Sequence, residues 1–595
     1  MEGLEVTVLL GLAILVGTVL APRLRLATPL VLVVIGLLLG FVPELRDIQL
    51  PPETVLLLFL PVMLFWESLT TSLRAVRRTL RYIVPMSTLL VVASAFAVAW
   101  IATMFGVPFH TALLLGAAVA PPDATAVAAL GRLLPERTFM KLKAESLTND
   151  GTALVLYAIA LSLALGENVT GWSVTGMVLV SYLGGAAAGV AVAALAYLGL
   201  RHARHALTIN ITLLLVPFAA FLVAEWIGAS GVLAVVFAGL IIAWSHSRIT
   251  TATSRRQAMA AWPFGVFLLN GALFVLIGLE VQYVVHDVPA RQIGVLVLIT
   301  LGTWAALIVV RYLFQLLFAP FSRPPAGMPP FSRHRSRVVS TVAGFRGAVS
   351  LAIALSVPTS IAGVGELTGR DIVVFVTGGV ILLSLLVQGP LLPAITRWAR
   401  LPADETAADE YELAQRTITG AAVAAIDDIA AEHGISDAVR DRARHEGYEL
   451  LELANARAYA RQSAADDARI AELETALAQP DATDTGPLSA PASPARRVVA
   501  ATPDPTSPVA PDAATRPGAT SLEMLAESDG IDLTQRSPLV RHEESTRMKL
   551  ALLDRKRAVL QRLRREGTID DLVARRIEGH LDLDELRLRG VDRVD

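Results

Sequence analysis

The first two thirds of the chain alternate between long apolar runs and short polar joints. The runs lie near 4–21, 28–44, 53–71, 82–104, 110–130, 145–166, 174–199, 207–226, 230–245, 262–283, 291–317, 338–358 and 371–395. A helix crossing about 30 Å of hydrocarbon needs about 17–25 residues, so the pattern predicts thirteen transmembrane helices, with 230–245 the shortest. Past residue 400 the runs give way to closely mixed acidic and basic residues. Residues 402–477 read as charged amphipathic helix with breaks at Gly434 and Gly447. Residues from about 479 to 519 are rich in Pro, Ala, Asp and Thr, lack periodicity, and are expected to be disordered. A last helical stretch, roughly 537–592, carries Leu550, Leu552, Leu553, Leu560 and Leu563 among many charges; it either packs on the first part of the tail, dimerises or regulates transport, or is a solvated helical appendage.

Composition agrees: 54% of residues are hydrophobic and 17% charged, and the mean hydropathy is +0.56, against about 25% charged in soluble domains. The net charge of -2 hides an uneven distribution. Alternate joints carry Arg23 and Arg25; Arg74, Arg77, Arg78 and Arg81; Arg132, Arg137, Lys141 and Lys143. The same side continues with Arg201 and Arg204; Arg248, Arg255 and Arg256; Arg323, Arg333, Arg335 and Arg337; then Arg397 and Arg400. The opposite joints hold only Arg46, Arg291 and Arg370. Positive residues stay on the cytoplasmic side, so the N-terminus is expected outside and the C-terminus inside a cell membrane. The first run has no basic leader or small-residue cleavage site after it and reads as a retained span. The expected division is a membrane domain over 1–400, a cytoplasmic helical segment over 401–478, a disordered linker over 479–519 and a C-terminal cytoplasmic helical segment over 520–595. The fold class is therefore all-α, a polytopic membrane protein with a helical tail. There is no cysteine, which excludes disulfides, Fe–S clusters and thiolate chemistry.

Thirteen spans divide as six, one and six, which would invert the second half relative to the first. The fifth and twelfth spans then correspond, and both are interrupted: one by Pro121-Pro122, the other by Gly344-Phe-Arg346-Gly347. Paired broken spans in inverted halves point to a transport site near the midplane.

Charged residues inside the runs narrow the chemistry. A charge at that depth costs about 2.5–3.5 kcal/mol or more, so Asp150, in Glu145-Ser-Leu-Thr-Asn-Asp150, is the first candidate. One carboxylate in low dielectric can hold a proton or a small cation, each excluding the other; the alternative is an ion pair that only joins helices. Asn149 can offer its amide oxygen or donate to backbone, and Ser146 shares the Asp150 face on a helix. Asp123 follows the Pro-Pro break, which removes two backbone donors and frees carbonyls around Ala120 to Pro122. Its alternative role is to compensate half-helix ends. Arg346 needs a buried partner, and Glu145 is the expected one, leaving Asp150 free. Arg311, near a span end, is expected to snorkel. Glu67 either completes the acidic site or faces the interface beside Trp66.

These residues resemble the monovalent cation:proton antiporters, the family of bacterial NhaP-type and eukaryotic NHE-type sodium/proton exchangers, over about residues 5–398. The resemblance is carried by Glu145-Ser146-x-x-Asn149-Asp150, the Asp of Ala120-Pro-Pro-Asp123, Phe345-Arg346-Gly347-Ala-Val-Ser350-Leu, Leu268-Leu-Asn270 with Phe274-x-x-Ile-Gly278-Leu, and Ala224-Glu225-x-x-x-x-Ser230-Gly231-Val-Leu-Ala. Two departures stand out: Pro122-Asp123-Ala124 replaces the family's frequent Thr-Asp-Pro, and Trp66 intervenes between Leu64-Phe65 and Glu67. The resemblance implies a homodimer, an inverted-repeat core with crossed unwound helices, and electroneutral one-for-one exchange from the Asn-Asp pair. It also implies Asp150 as carrier of ion and proton, with Ser146, Asp123 and a carbonyl near Pro122 assisting, and Glu145 paired with Arg346. Asp150, Asp123 and Ser146 would ligate transported Na+, with K+ and Li+ as alternatives, and no cofactor is expected. Partners are then the cation, the proton and membrane lipid, not nucleic acid. A cation channel would need polar groups along a path, whereas the acids cluster at one depth. An intramembrane enzyme would want a nucleophile with a base or His-Glu-x-x-His, and no span offers either. The expected function is Na+/H+ exchange serving pH and sodium homeostasis, with K+/H+ exchange as the alternative.

Overall fold

The computed structural model describes residues 2–24, 26–42, 55–123, 134, 136–167, 169–287, 290–319, 330–358, 360–361, 365–366, 369–400, 406–477 and 538–590. In chain order the helices are α1 (Glu2–Leu24), α2 (Thr28–Leu39), α3 (Leu60–Leu69), α4 (Leu73–Ser87), α5 (Leu89–Met104), α6 (Phe109–Val119) and α7 (Glu136–Ala164). Then come α8 (Gly171–Leu179), α9 (Gly185–Leu200), α10 (Ala206–Trp226), α11 (Gly231–Ile249), α12 (Ala252–Asp287) and α13 (Ala290–Leu317). A broken pair, α14 (Pro330–Val342) and α15 (Ala348–Leu355), precedes a ribbon of β1 (Ser360–Ile361) against β2 (Gly365–Glu366), then α16 (Arg370–Leu383) and α17 (Gly389–Ala399). The tail holds α18 (Thr406–Ala424), α19 (Ile426–His433), α20 (Asp437–Leu477), α21 (Pro538–Glu566) and α22 (Asp571–Leu588).

Among the described residues, nine helices are long and apolar enough to cross a membrane, and Thr28–Leu39, Leu57–Leu69 and Phe109–Val119 are shorter apolar helices. These fall on the expected runs, and the run at 338–358 is the broken α14–α15 pair. The protein is a multi-pass membrane protein. On α10, Ile209, Leu213, Val216, Ala220 and Ala224 turn inward at helical spacing while Leu207, Leu215 and Leu222 stay exposed. A helix apolar all round belongs in lipid.

Two packing groups emerge. In one, α3 lies along α11, α9 and α10 flank α11, and α2 runs along α12. In the other, α5 sits between α6 and α13, α7 packs on α4 and α6, and α16 packs on α13 and α6. Small residues set the closest approach: a Cβ on Gly36 would stand 2.0 Å from the Val275 carbonyl oxygen, and one on Gly278 would stand 2.2 Å from that of Val33.

The chain divides into two compact units, Met1–Tyr411 with Leu560–Asp595, and Glu412–Val559. In the second, Met548 of α21 is buried with Ala425, Ile426, Ile429, Val439 and Ala443, so the last leucine-rich stretch does pack on the first part of the tail. Gly434 ends α19 at φ +61°, as a break should. Gly447 does not interrupt α20: a Cβ there would meet the Val423 side chain at 2.9 Å, so it is a packing glycine. The expected linker 479–519, residues 124–130 of the fifth run, and Arg46, Arg132 and Arg323 lie outside the described residues.

Candidate functional site

Two helices stop short of crossing and meet where they stop. Helix α6 ends at Val119 because Pro121 and Pro122 supply no N–H to continue it. Helix α14 ends at Val342, and residues 344–347 are non-helical before α15 resumes at Ala348. The Asp123 amide donates to the Phe345 carbonyl at 2.8 Å, tying the unwound segments together. Gly347 makes room, since a Cβ there would fall 1.8 Å from Asp123 Oδ2.

The crossing leaves helix ends buried, and two side chains compensate them. Asp123 lies against Gly347 at the N-terminus of α15, where a negative charge is favourable. Arg346 donates to the carbonyls of Val119 at 2.7 Å and Ala120 at 3.3 Å, at the end of α6, and to that of Gly344 just past α14. A cation there complements the two C-terminal ends.

Helix α7 carries the remaining polar groups. Glu145, Ser146, Asn149 and Asp150 are all buried. Asn149 Nδ2 donates to the Pro122 carbonyl at 3.0 Å. A carbonyl only accepts, so the amide orientation is fixed by its partner. Asn149 Oδ1 is then a buried acceptor with no hydrogen-bond donor among the described residues. Asp150 lies within electrostatic reach of Asp123 and of Glu67 on α3. Glu67 is itself buried and in reach of Asp123 and Lys143, and Lys143 Nζ donates to Thr70 Oγ1 at 2.6 Å. Asp150, Asn149, Pro122, Asp123 and Glu67 are thus brought together, and Ser146 is buried on the same helix.

The expected Glu145–Arg346 pair is not formed. Glu145 makes a two-point pair with Arg311, Oε1 to Nη1 at 2.6 Å and Oε2 to Nη2 at 3.0 Å. Arg346 has its carbonyl partners instead, and among the described residues no carboxylate lies within ion-pair distance of it. Arg311 does not snorkel: its side chain is 2% exposed, and its Nε donates to the Ser340 carbonyl at 3.1 Å. The signal for this lies in the sequence, because Thr300, Thr303, Leu307, Arg311 and Gln315 recur at helical spacing and all turn inward. Lys143, read only as a loop charge, joins Glu67 for a similar reason: α7 begins at Glu136 and carries it inward.

The protein-family model described as "Sodium/hydrogen exchanger, transmembrane" matches residues 10–398. An uncharacterized Na+/H+ exchanger of Mycobacterium tuberculosis is 35% identical over 593 residues, covering 98% of this chain and 96% of the relative. The Na+/H+ antiporter ApNhaP of Aphanothece halophytica is 32% identical, over 60% of this chain and 67% of its own length. A sodium, potassium, lithium and rubidium/H+ antiporter of Bacillus subtilis is 29% identical, over 62% and 57%. The fold is similar to that of the sodium proton antiporter MjNhaP1 from Methanocaldococcus jannaschii, with a TM-score of 0.51 at 19% identity over 67% of this chain and 99% of that one. With most of its membrane part matched by the family model, and nearly its whole length by a relative above 30% identity, the chain belongs to the transmembrane sodium/hydrogen exchangers.

Proposed function

We propose that the protein is an electroneutral Na+/H+ antiporter in which Na+ and H+ compete for Asp150. The observation carrying this is a buried carboxylate beside two others, Asp123 and Glu67, at the crossing of two interrupted helices. Lys143 is in reach of Glu67, but the charges of Asp150 and Asp123 still call for a counter-ion in low dielectric, so the site takes up either a proton or a cation. The buried Asn149 Oδ1, Asp150 and the Ser146 hydroxyl supply oxygen ligands suited to an alkali cation, with Asp123 and the Pro122 carbonyl beside them. Glu145 takes no part in exchange, because Arg311 already neutralises it. Transport follows from movement of one packing group against the other, alternately exposing the site.

The topology that fits is thirteen spans in two inverted halves, N-terminus outside and C-terminus in the cytoplasm, working as a homodimer in the cell membrane for pH and sodium homeostasis. Exchange of K+ is the second reading, favoured by the relative named for sodium, potassium, lithium and rubidium. Proteoliposomes with a trapped pH dye separate these readings: wild type should dissipate an imposed pH gradient on addition of its cation, with Na+, K+ and Li+ compared in turn. Electroneutral exchange should proceed equally with and without a membrane potential. Asp150→Asn should abolish the flux while the protein stays folded; an active variant would move the carrier elsewhere.

A further inference from the structure

The joint between α3 and α4, residues 70–72, links the two packing groups: α3 packs on α11, α10 and α12, and α4 packs on α7 and α5. It also bonds to the Asp150 helix through Lys143 and Thr70. The C-terminal helix α22 is docked on this joint. Arg575 donates to the carbonyls of Leu69 and, at 3.0 Å, of Thr71, at the end of the Glu67 helix. Asp571 Oδ2 accepts from Ser72 Oγ at 3.1 Å and from the Arg74 amide, at the start of α4, at 3.4 Å. The Arg74 guanidinium returns to the Ile569 carbonyl at 2.8 Å. Farther along α22, Asp582 forms a two-point pair with Arg255 of α12 at 2.5 and 2.6 Å. Val573, Ile577, Leu581 and Leu586 are buried along the helix, as are Asp571 and Asp582.

This is more than a solvated appendage. Buried acids with matched cations and a buried apolar stripe at helical spacing mark a permanent seat. One helix therefore bonds the end of α3, the joint, the start of α4 and the start of α12. Any motion that changes the bend at 70–72 must break those bonds or carry the helix with it. We propose that α22 is an intramolecular brake, a splint across the joint that restrains the movement of the Asp150 group against the Glu67 group. The proposal rests on the exchange reading above.

The absence of cysteine makes the test clean. In full-length protein in liposomes, Arg575→Ala should raise the initial rate of cation-dependent proton flux about five-fold or more, the lower end of common coupling strengths. Arg575→Lys should fall between it and wild type. In a Ser72→Cys/Asp571→Cys protein, a reducible bifunctional thiol cross-linker should cut the flux at least as strongly, and reductant should restore it. Hydrogen exchange at residues 70–74 should quicken in Arg575→Ala. An unaccelerated Arg575→Ala, or a cross-linked protein that exchanges at the uncross-linked rate, overturns the brake alone. A wild type with no cation-dependent flux overturns the exchange reading, and the brake with it.

Discussion

Glu145 and Asp150 lie on one buried helix with similar chemistry, and their neighbours give them opposite tasks. Glu145 has both oxygens committed to Arg311, whereas Asp150 faces other acids. Breaking a buried pair from one side strands the other charge. Glu145→Gln should therefore lower stability by about 3–5 kcal/mol, read as an early thermal transition in detergent. Glu145→Leu combined with Arg311→Met should recover most of that loss, because no charge is left behind. If Arg311 reached the headgroups, the single change would cost little and the double would recover nothing. Asp150→Asn removes a like charge from a crowded site and should leave the transition unchanged or raise it while abolishing exchange. Stability and transport thus separate between two acids of the same helix.

The crossing of α6 with the α14–α15 pair depends on a few positions whose backbone leaves no slack. Gly347→Ala would place a methyl 1.8 Å from Asp123 Oδ2, so the Asp123 carboxylate or the α15 start must shift. Overpacking of this kind costs about 1–3 kcal/mol, and flux in liposomes should fall at least as steeply as stability because Asp123 is displaced from the site. Gly389→Ala is the control: the nearest atom to its Cβ is 4.0 Å away, and both properties should match wild type. Much of this element was legible beforehand. Pro121-Pro122 removes consecutive donors, and Gly344 with Gly347 brackets an arginine in an apolar run; both mark breaks. What the sequence hid was partner choice. Arg311 and Arg346 are both cations in apolar runs, and which one meets Glu145 depends on how α13 is turned toward α7. Only the inward stripe from Thr300 to Gln315 encodes that turn. Gly447 misled for the opposite reason, since a glycine that lets Val423 approach looks in sequence like one that ends a helix.

At the scale of the molecule, the tail is divided: α21 contributes Met548 to a cluster with α19 and α20, while α22 belongs with the membrane helices. The docked end raises the question of whether the brake itself senses pH. Asp571 is the group to ask, facing Arg564 from α21, Ser72 from the joint, Arg74 from the start of α4, and Arg575 on its own helix. Burial opposes its ionised form, but the Arg564 pair at 2.7 Å and the hydrogen bonds from Arg74 and Ser72 outweigh burial and hold its pKa below the usual carboxylate value. A lowered pKa stabilises docking above the unfolded value, about 4, and that stabilisation is lost only as pH falls through the lower, docked value. Across the neutral range Asp571 stays ionised and the seat keeps its strength. Through Asp571, then, the brake should scale the rate without setting where exchange turns on; Lys143 and His246, which also lie within electrostatic reach of Arg575, are the other titratable neighbours of the seat. In flux measured at external pH from about 6 to 9, well above that carboxylate range, Arg575→Ala should show a higher plateau and the same half-activation pH as wild type. A half-activation point that moves by about one unit would mean 1.4 kcal/mol of proton-linked coupling that Asp571 cannot supply. The sensor would then be another group tied to α22. With the half-activation point unchanged, pH sensing stays at the crossing, where Asp150 chooses between proton and cation.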